Sequence, residues 1–428
     1  MTTFISPELH SGLDTSHWPD LGRMPGALKR NVHARVARRL FDSVVARLDV
    51  RVELPDGTVV GRAAHVPSAP VMVLHHPDRF ISRLGAAGLI GFGESYMAGD
   101  WDSPDLGRVL SVFAERMANL VPQPLQKLRA LYVARHPSSE INTTKNTRSN
   151  ISRHYDLSNE MFEQFLDPTM SYSSALFDNA VSVRPSWDDL APAQDRKIDR
   201  LLDGAGVGEG SRVLEIGTGW GELAIRAARR GAIVRSVTLS QEQQVLAQRR
   251  VREAGFEDSV TVDLLDYRAV EGQYDAIVSV EMIEAVGYDY WPTYFETIDQ
   301  HLAPGGKVAI QAITMPHDRM LATRNTYTWV HKYIFPGGFL PSTEAIDQVT
   351  RAHTTLRVAD RLSMGQSYAQ TLRLWDERFA SHAAEVGRLG FDAVFRRMWH
   401  FYLEYSRAGF TSGYLDVQQF ILQREDNR

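Results

Sequence analysis

The chain has 428 residues, room for two domains, and 43 % of them are apolar, so a substantial core is expected. A net charge of −5 gives no argument for a nucleic-acid partner, and the absence of cysteine excludes disulfides, thiolate metal sites and a cysteine nucleophile. Pro7, Glu8, Asp14 and Asp20 interrupt the N-terminus, so no signal peptide is expected there, and the apolar stretch Leu84 to Phe92 is far too short to span a bilayer.

From Leu28 the apolar residues Leu28, Val32, Val36, Leu40, Val44 and Leu48 keep helical spacing, with Phe41 and Val45 widening the stripe. Lys29, Arg30, Arg35, Arg38, Arg39 and Arg47 occupy the other faces. Such a helix either packs on a core with a solvated basic face, the commoner case, or lies on an anionic membrane. Val50 to Val60 predicts a hairpin around Pro55-Asp56-Gly57. Val71 to Leu74 predicts a strand, Pro77 to Leu84 a helix, and the glycine-rich run Leu89 to Trp101 a compact turn. Helices follow at Leu106 to Leu120 and Pro124 to Arg135. The expected partition is a small α+β domain over 1–136, a polar linker over 137–150, and a main domain over 151–428.

A helix from Trp187 to Leu202 leads into the stretch that organises the main domain. Val213 to Ile216 reads as a buried strand, Gly217, Gly219 and Gly221 as a turn, and Trp220 to Arg230 as a helix. A strand, a glycine turn and a helix bring backbone N–H groups against a nucleotide-like ligand. The dinucleotide fingerprint wants its third glycine where this chain has Glu222. The acidic Glu215 before the turn favours instead the first motif of S-adenosylmethionine (SAM) methyltransferases, its carboxylate anchoring the turn or reaching the ligand's ammonium through water. Nicotinamide or flavin binding and a purely structural turn remain open on this motif alone. Strands at Ile233 to Leu239, Val260 to Leu264, Tyr274 to Val280 and Lys307 to Ile313 alternate with helices at Gln241 to Ala254 and Trp291 to Leu302. That alternation means a doubly wound, mostly parallel α/β sheet, with ligands beyond the C-terminal strand ends.

Several stretches together carry a more specific signal: Gly93-Glu-Ser-Tyr-Met97, His154-Tyr-Asp-Leu157, Ser171-Tyr-Ser-Ser-Ala-Leu-Phe177, the glycine turn, Thr238-Leu-Ser240 with Gln243, Met282-Ile-Glu-Ala-Val-Gly287, Lys332-Tyr-Ile-Phe-Pro336 and Gly365 with Tyr368. In order and spacing the chain resembles the cyclopropane fatty acid synthase family of SAM-dependent lipid methyltransferases. The resemblance implies a class I, Rossmann-like methyltransferase fold. It implies that Tyr172 and Ser173 hold the amino-acid end of SAM, that Gly217 and Gly219 admit it to the turn, that Thr238, Leu239 and Gln243 meet the ribose, and that Asp266 and Tyr267 face the adenine. Thr238 and Gln243 capping a helix, or Tyr267 lying in the core, are the competing structural readings. It also implies phospholipid acyl chains as substrate, a cytoplasmic location at the inner face of the membrane with the first domain associated with lipid, and no nucleic-acid partner. A homodimer is compatible with it.

The methyl acceptor in that family is an alkene, and methyl transfer leaves a carbocation. The pocket must be dry, must stabilise the cation and must hold a base. Tyr155 and Tyr368 match family positions near the cation, where a ring face attracts positive charge. The family's base is a bound bicarbonate, and Glu284, Ile313 and Tyr368 match three of its contacts. Three residues depart from the family pattern: Ser174 replaces its Cys, Gln311 its strand-end His, and Ala285 the His after its Glu. Ser174 and Gln311 can still bond an anion, but its position and basicity change. A repositioned base gives a hydride shift time to precede proton loss, which predicts a methylene branch, with a separate reductase downstream, over the alternative cyclopropane. Competing classes are a non-catalytic lipid-binding protein and a methyltransferase acting on small molecules or nucleic acid.

Overall fold

The computed structural model describes residues 16–22, 27–120, 158–178, 180 and 184–425, the side chains of 27–32 and 116–120 excepted. The chain divides into two compact units: Met1–Arg135 with Thr326–Lys332 and Trp375–Tyr414, and His136–Asn325 with Tyr333–Leu374 and Leu415–Arg428. The partition read from the sequence kept 151–428 whole, whereas here two late segments join the first unit. The cause is local. Buried Arg397, on helix Ala393–Thr411, donates to Asp102 Oδ2 at 2.9 Å and to the carbonyls of Tyr96 and Trp101. Phe401 of the same helix packs against Phe92 and Tyr96. The expected linker 137–150 and the helix expected over 124–135 lie outside the described residues.

In the first unit β1 (Arg51–Glu53), β2 (Val59–Val60), β3 (Val71–Leu74) and β4 (Trp101–Asp102) form a sheet of order β2-β1-β3-β4. The hairpin forms as expected, with Gly57 at φ +82° and the Thr58 N–H on Asp56. Helix Ala27–Val45 buries Ala37, Phe41 and Val45, while Val36 and Leu40 are 53 % and 37 % exposed. The buried stripe is therefore rotated by one position from the one read in the sequence. Leu89–Met97 is a helix, not a compact turn. Its glycines serve close packing: a Cβ on Gly91 would meet the Arg83 carbonyl at 2.0 Å, and one on Gly93 the Trp329 ring at 2.5 Å. In the same unit Lys332 donates to Glu94 at 2.6 Å, joining two of the motif stretches.

The second unit holds seven strands: β5 (Arg212–Ile216), β6 (Ile233–Thr238), β7 (Val260–Leu264), β8 (Tyr274–Val280), β9 (Leu302–Thr314), β10 (Leu356–Ser363) and β11 (Asp416–Arg424), in the order β10-β11-β9-β8-β5-β6-β7. The run β9-β8-β5-β6-β7 is parallel, and β11 and β10 add an antiparallel edge. Successive side chains enter opposite cores: Val213, Val278 and Ala309 face one, Leu214, Ile277 and Ile310 the other. Burying each of the valine, leucine and isoleucine side chains contributes about 1.5–3 kcal/mol. The expected doubly wound sheet is present. Gly305 and Gly306 lie inside β9 instead of ahead of it, where the β8–β9 register shifts. The strand order reverses between β5 and β8, so a ligand crevice opens beyond their C-terminal ends.

Candidate active site

The glycine turn leaves β5 at this switch point. Gly217, Gly219 and Gly221 all have positive φ, at +97°, +51° and +91°. A Cβ on Gly217 would meet Met282 at 2.4 Å and one on Gly221 would meet Ala247 at 3.2 Å, but one on Gly219 meets nothing within 4 Å. Gly219 therefore borders open space, a cradle that a side chain would fill. Glu215 is buried, and burial raises its carboxyl to about 8. The Ser236 hydroxyl lies between its Oε2 and the Thr218 hydroxyl, so Glu215 ties the turn to β6.

The other expected cofactor residues ring the same strand ends. Thr238 closes β6, its hydroxyl donating to Gln243 Oε1 at 3.0 Å, and Leu239 follows directly. The helix cap at Gln241–Glu253 is Ser240, which accepts from the Gln243 N–H. Asp266 follows β7 and holds Arg268; burial pushes its carboxyl up, but the Arg268 bonds outweigh that and keep it below the usual range. Tyr267 is 8 % exposed and meets Tyr294 edge-on within the core, the structural alternative named for it. Tyr172 stands 5.2 Å from Phe162 between ring centroids. Ser173 accepts from the buried Lys197 at 2.7 Å. Tyr155 and the rest of 154–157 lie outside the described residues.

Three of the catalytic candidates, Ser174, Gln311 and Tyr368, converge on Glu281, a strand-end acid outside the expected catalytic set. Glu281 follows β8 with φ +51°, one of two non-glycine residues with positive φ among those described. Such a backbone costs on the order of 1–3 kcal/mol and persists where surroundings impose it. Its Oε1 accepts from the Ser174 N–H at 2.9 Å and from Gln311 Nε2 at 2.7 Å, and its Oε2 from the Tyr368 hydroxyl at 2.8 Å. Burial raises its pKa, against these three donors and the charge of Lys197. The groups expected to surround bicarbonate thus hold a carboxylate of the chain itself. The Ile313 N–H is also taken, by Glu284 Oε1. With these donors taken, a separate bicarbonate does not fit this donor set.

Glu284, expected to contact the base, lies beside Glu281 with its Oε1 on the Ile313 N–H. Burial and the neighbouring Glu281 raise its carboxyl to about 8, which favours the uncharged acid near neutral pH. Its Oε2 is buried without a partner among the described residues. Of these two adjacent carboxyls, Glu281, with three donors from other stretches, is the better placed to hold the charge and Glu284 the proton. Glu281 could have been suspected as an acid at a strand end of a doubly wound sheet, but its three donors come from distant stretches.

The family model described as mycolic acid cyclopropane synthetase matches residues 142–420. The chain belongs to this family. It is 54 % identical to the tuberculostearic acid methyltransferase UfaA1 of Mycobacterium tuberculosis over 99 % of both chains. To the cyclopropane-fatty-acyl-phospholipid synthase of Escherichia coli it is 34 % identical, over 83 % of this chain and 89 % of that one. Among solved structures, the mycolic acid cyclopropane synthase CmaA1 in complex with SAH and CTAB superposes with a TM-score of 0.58 at 30 % identity, covering 65 % of this chain and 98 % of that one. The enzyme is a SAM-dependent methyltransferase, with the class I fold, that methylates or cyclopropanates unsaturated fatty acyl chains. The open cradle at Gly219 and the polar strand ends suit SAM.

Proposed function

We propose that the enzyme methylates the double bond of an unsaturated acyl chain of a phospholipid and leaves a methylene branch, with Glu281 as the base. SAM supplies the methyl group. One alkene carbon bonds to it and the neighbouring carbon becomes cationic. Hydride moves between the two former alkene carbons, the added methyl loses a proton to Glu281, and its C–H electron pair forms the exocyclic double bond. The tally closes with SAH, one methylene-branched chain and one proton. Glu281 is anchored to β8 and held by Ser174, Gln311 and Tyr368. This carboxylate in place of a free anion is the observation that carries the reading. The 54 % identity to a relative named as a methyltransferase, against 34 % to one named as a cyclopropane synthase, supports the branch over the ring. The phospholipid rests on the name of the latter. A product that keeps a double bond would need a separate reductase to become a methyl branch.

The test is gas chromatography with mass detection on lipids from an oleate-containing host. Methylene-branched chains in the phospholipid fraction are expected. Cyclopropane chains alone would overturn the product assignment while leaving SAM-dependent methyl transfer in place.

A further inference from the structure

Lys197 lies on helix Leu190–Gly204, is 2 % exposed, and takes no part in the scheme above. Among the described residues its ammonium has one hydrogen bond, to Ser173 Oγ at 2.7 Å. No carboxylate lies within ion-pair distance of it among the described residues, although Glu281, Asp167, Glu215 and Glu222 all act on its charge from farther away. Three other cations of the same unit are paired: Arg250 with Glu222 at 2.8 Å, Arg268 with Asp266, and Arg200 with Asp360 at 2.7 Å. A buried ammonium without a counter-ion is costly and is expected to meet one in a ligand.

The ammonium can only donate, so the Ser173 hydroxyl accepts from it and keeps its own hydrogen for another acceptor. No described residue takes that hydrogen. The Ser173 carbonyl is held by Gln194 at 3.0 Å, and the next residue, Ser174, is held by Glu281, so the hydroxyl is fixed beside the base. SAM carries one anionic group, the carboxylate of its methionine end. We propose that Lys197, acting through the Ser173 hydroxyl, is the positioning cation for that carboxylate. This rests on the placement of the methionine end beside Tyr172 and Ser173. Burial lowers the Lys197 pKa to about 8, against the pull of the four carboxylates, so its charge can be titrated within an assayable range.

Calorimetry with SAH and with 5′-methylthioadenosine, which lacks the carboxylate and ammonium, tests the proposal. Lys197→Met should weaken SAH about ten- to hundredfold, the weight of one charge-assisted hydrogen bond, and leave methylthioadenosine within about twofold. Lys197→Arg should restore part of the loss. On wild-type protein, which needs no variant to fold, SAH affinity should fall as pH rises through the Lys197 pKa, while methylthioadenosine affinity should stay level. Equal losses for both ligands, or none, would overturn the role of Lys197. A misplaced cofactor site would show differently: Gly219→Val would then bind both ligands normally, whereas on the present placement it binds neither.

Discussion

Gln419 Nε2 donates to Gln311 Oε1 at 3.0 Å, and this fixes which end of the Gln311 amide faces Glu281. Gln419 is set in turn by Arg200, which donates to its Oε1 at 2.9 Å and is braced on Asp360. With its oxygen occupied, Gln311 presents its NH₂ group to the carboxylate. The strand-end glutamine is thus an oriented donor suited to an anion built into the chain.

The two adjacent glutamates should separate on mutation. Glu281→Gln removes the charge that accepts the proton and should lower turnover about a hundred- to ten-thousandfold. SAH affinity, measured by calorimetry, should change little. Glu284→Gln replaces a carboxyl that favours the uncharged acid near neutral pH and should cost less than about tenfold in turnover. The reverse ranking would return the base to Glu284.

Shortening the side chain makes a second test. Glu281→Gly suits the left-handed backbone at φ +51° and exposes the donors on Ser174, Gln311 and Tyr368. Its activity should be low and should rise with added bicarbonate or formate, while wild-type activity ignores both. A variant that no anion rescues would show that the three donors do not form an anion site.

Much of this was legible in the sequence. The β5–turn–helix unit, the parallel strands and the polar residues at their ends follow from local periodicity and glycine spacing, which depend on neighbours along the chain. Glu281 was not legible, because Ser174, Gln311 and Tyr368 meet it only through the sheet. Nor was the return of Ala393–Thr411 to the first unit, which depends on Arg397 reaching Asp102 across 295 residues. The rotated stripe on Ala27–Val45 has a similar cause: both Leu40 and Phe41 fit helical spacing, and packing chose Phe41, against Phe80 at 4.9 Å.

The pH profile follows from the same donors. Glu281 must be ionised to act, so turnover should fall as pH drops through its raised pKa. The Tyr368 hydroxyl bonds the ionised form and lowers that pKa. Tyr368→Phe should therefore move the acidic limb to higher pH, by about one unit. A limb that stays in place or moves down would separate Tyr368 from the titrating group.

Glu215 gives a stability test apart from activity. Its carboxyl is raised from 4.5 to about 8 in the fold. Between those values the unfolded chain has lost this proton and the folded chain keeps it, so its contribution is fully present below 4.5 and is lost as pH rises through 8. Glu215→Gln should flatten that decline, an effect on the order of a few kcal/mol, in urea unfolding at pH 6 and pH 9. An unchanged slope would mean that other groups set the pH dependence.

A phospholipid substrate would bring the enzyme to a membrane surface. Among the described residues no helix is long and apolar enough to cross a bilayer. Helix Ala27–Val45 presents exposed Val36 and Leu40 beside exposed Arg35 and Arg39, apolar and basic groups together on a solvent face. That combination suits an anionic lipid surface, where each basic residue adds about 1 kcal/mol at low salt. Arg38 is engaged with Asp78 at 3.1 Å and is left in place. Arg35→Glu with Arg39→Glu should weaken sedimentation with phosphatidylglycerol vesicles more than tenfold at low salt, with a smaller gap at high salt. Val36→Ser with Leu40→Ser should weaken it at both salt concentrations, since burial of apolar side chains is not screened. Vesicle binding equal to wild type in both double variants would make this face an ordinary solvated surface and place the lipid contact elsewhere on the chain.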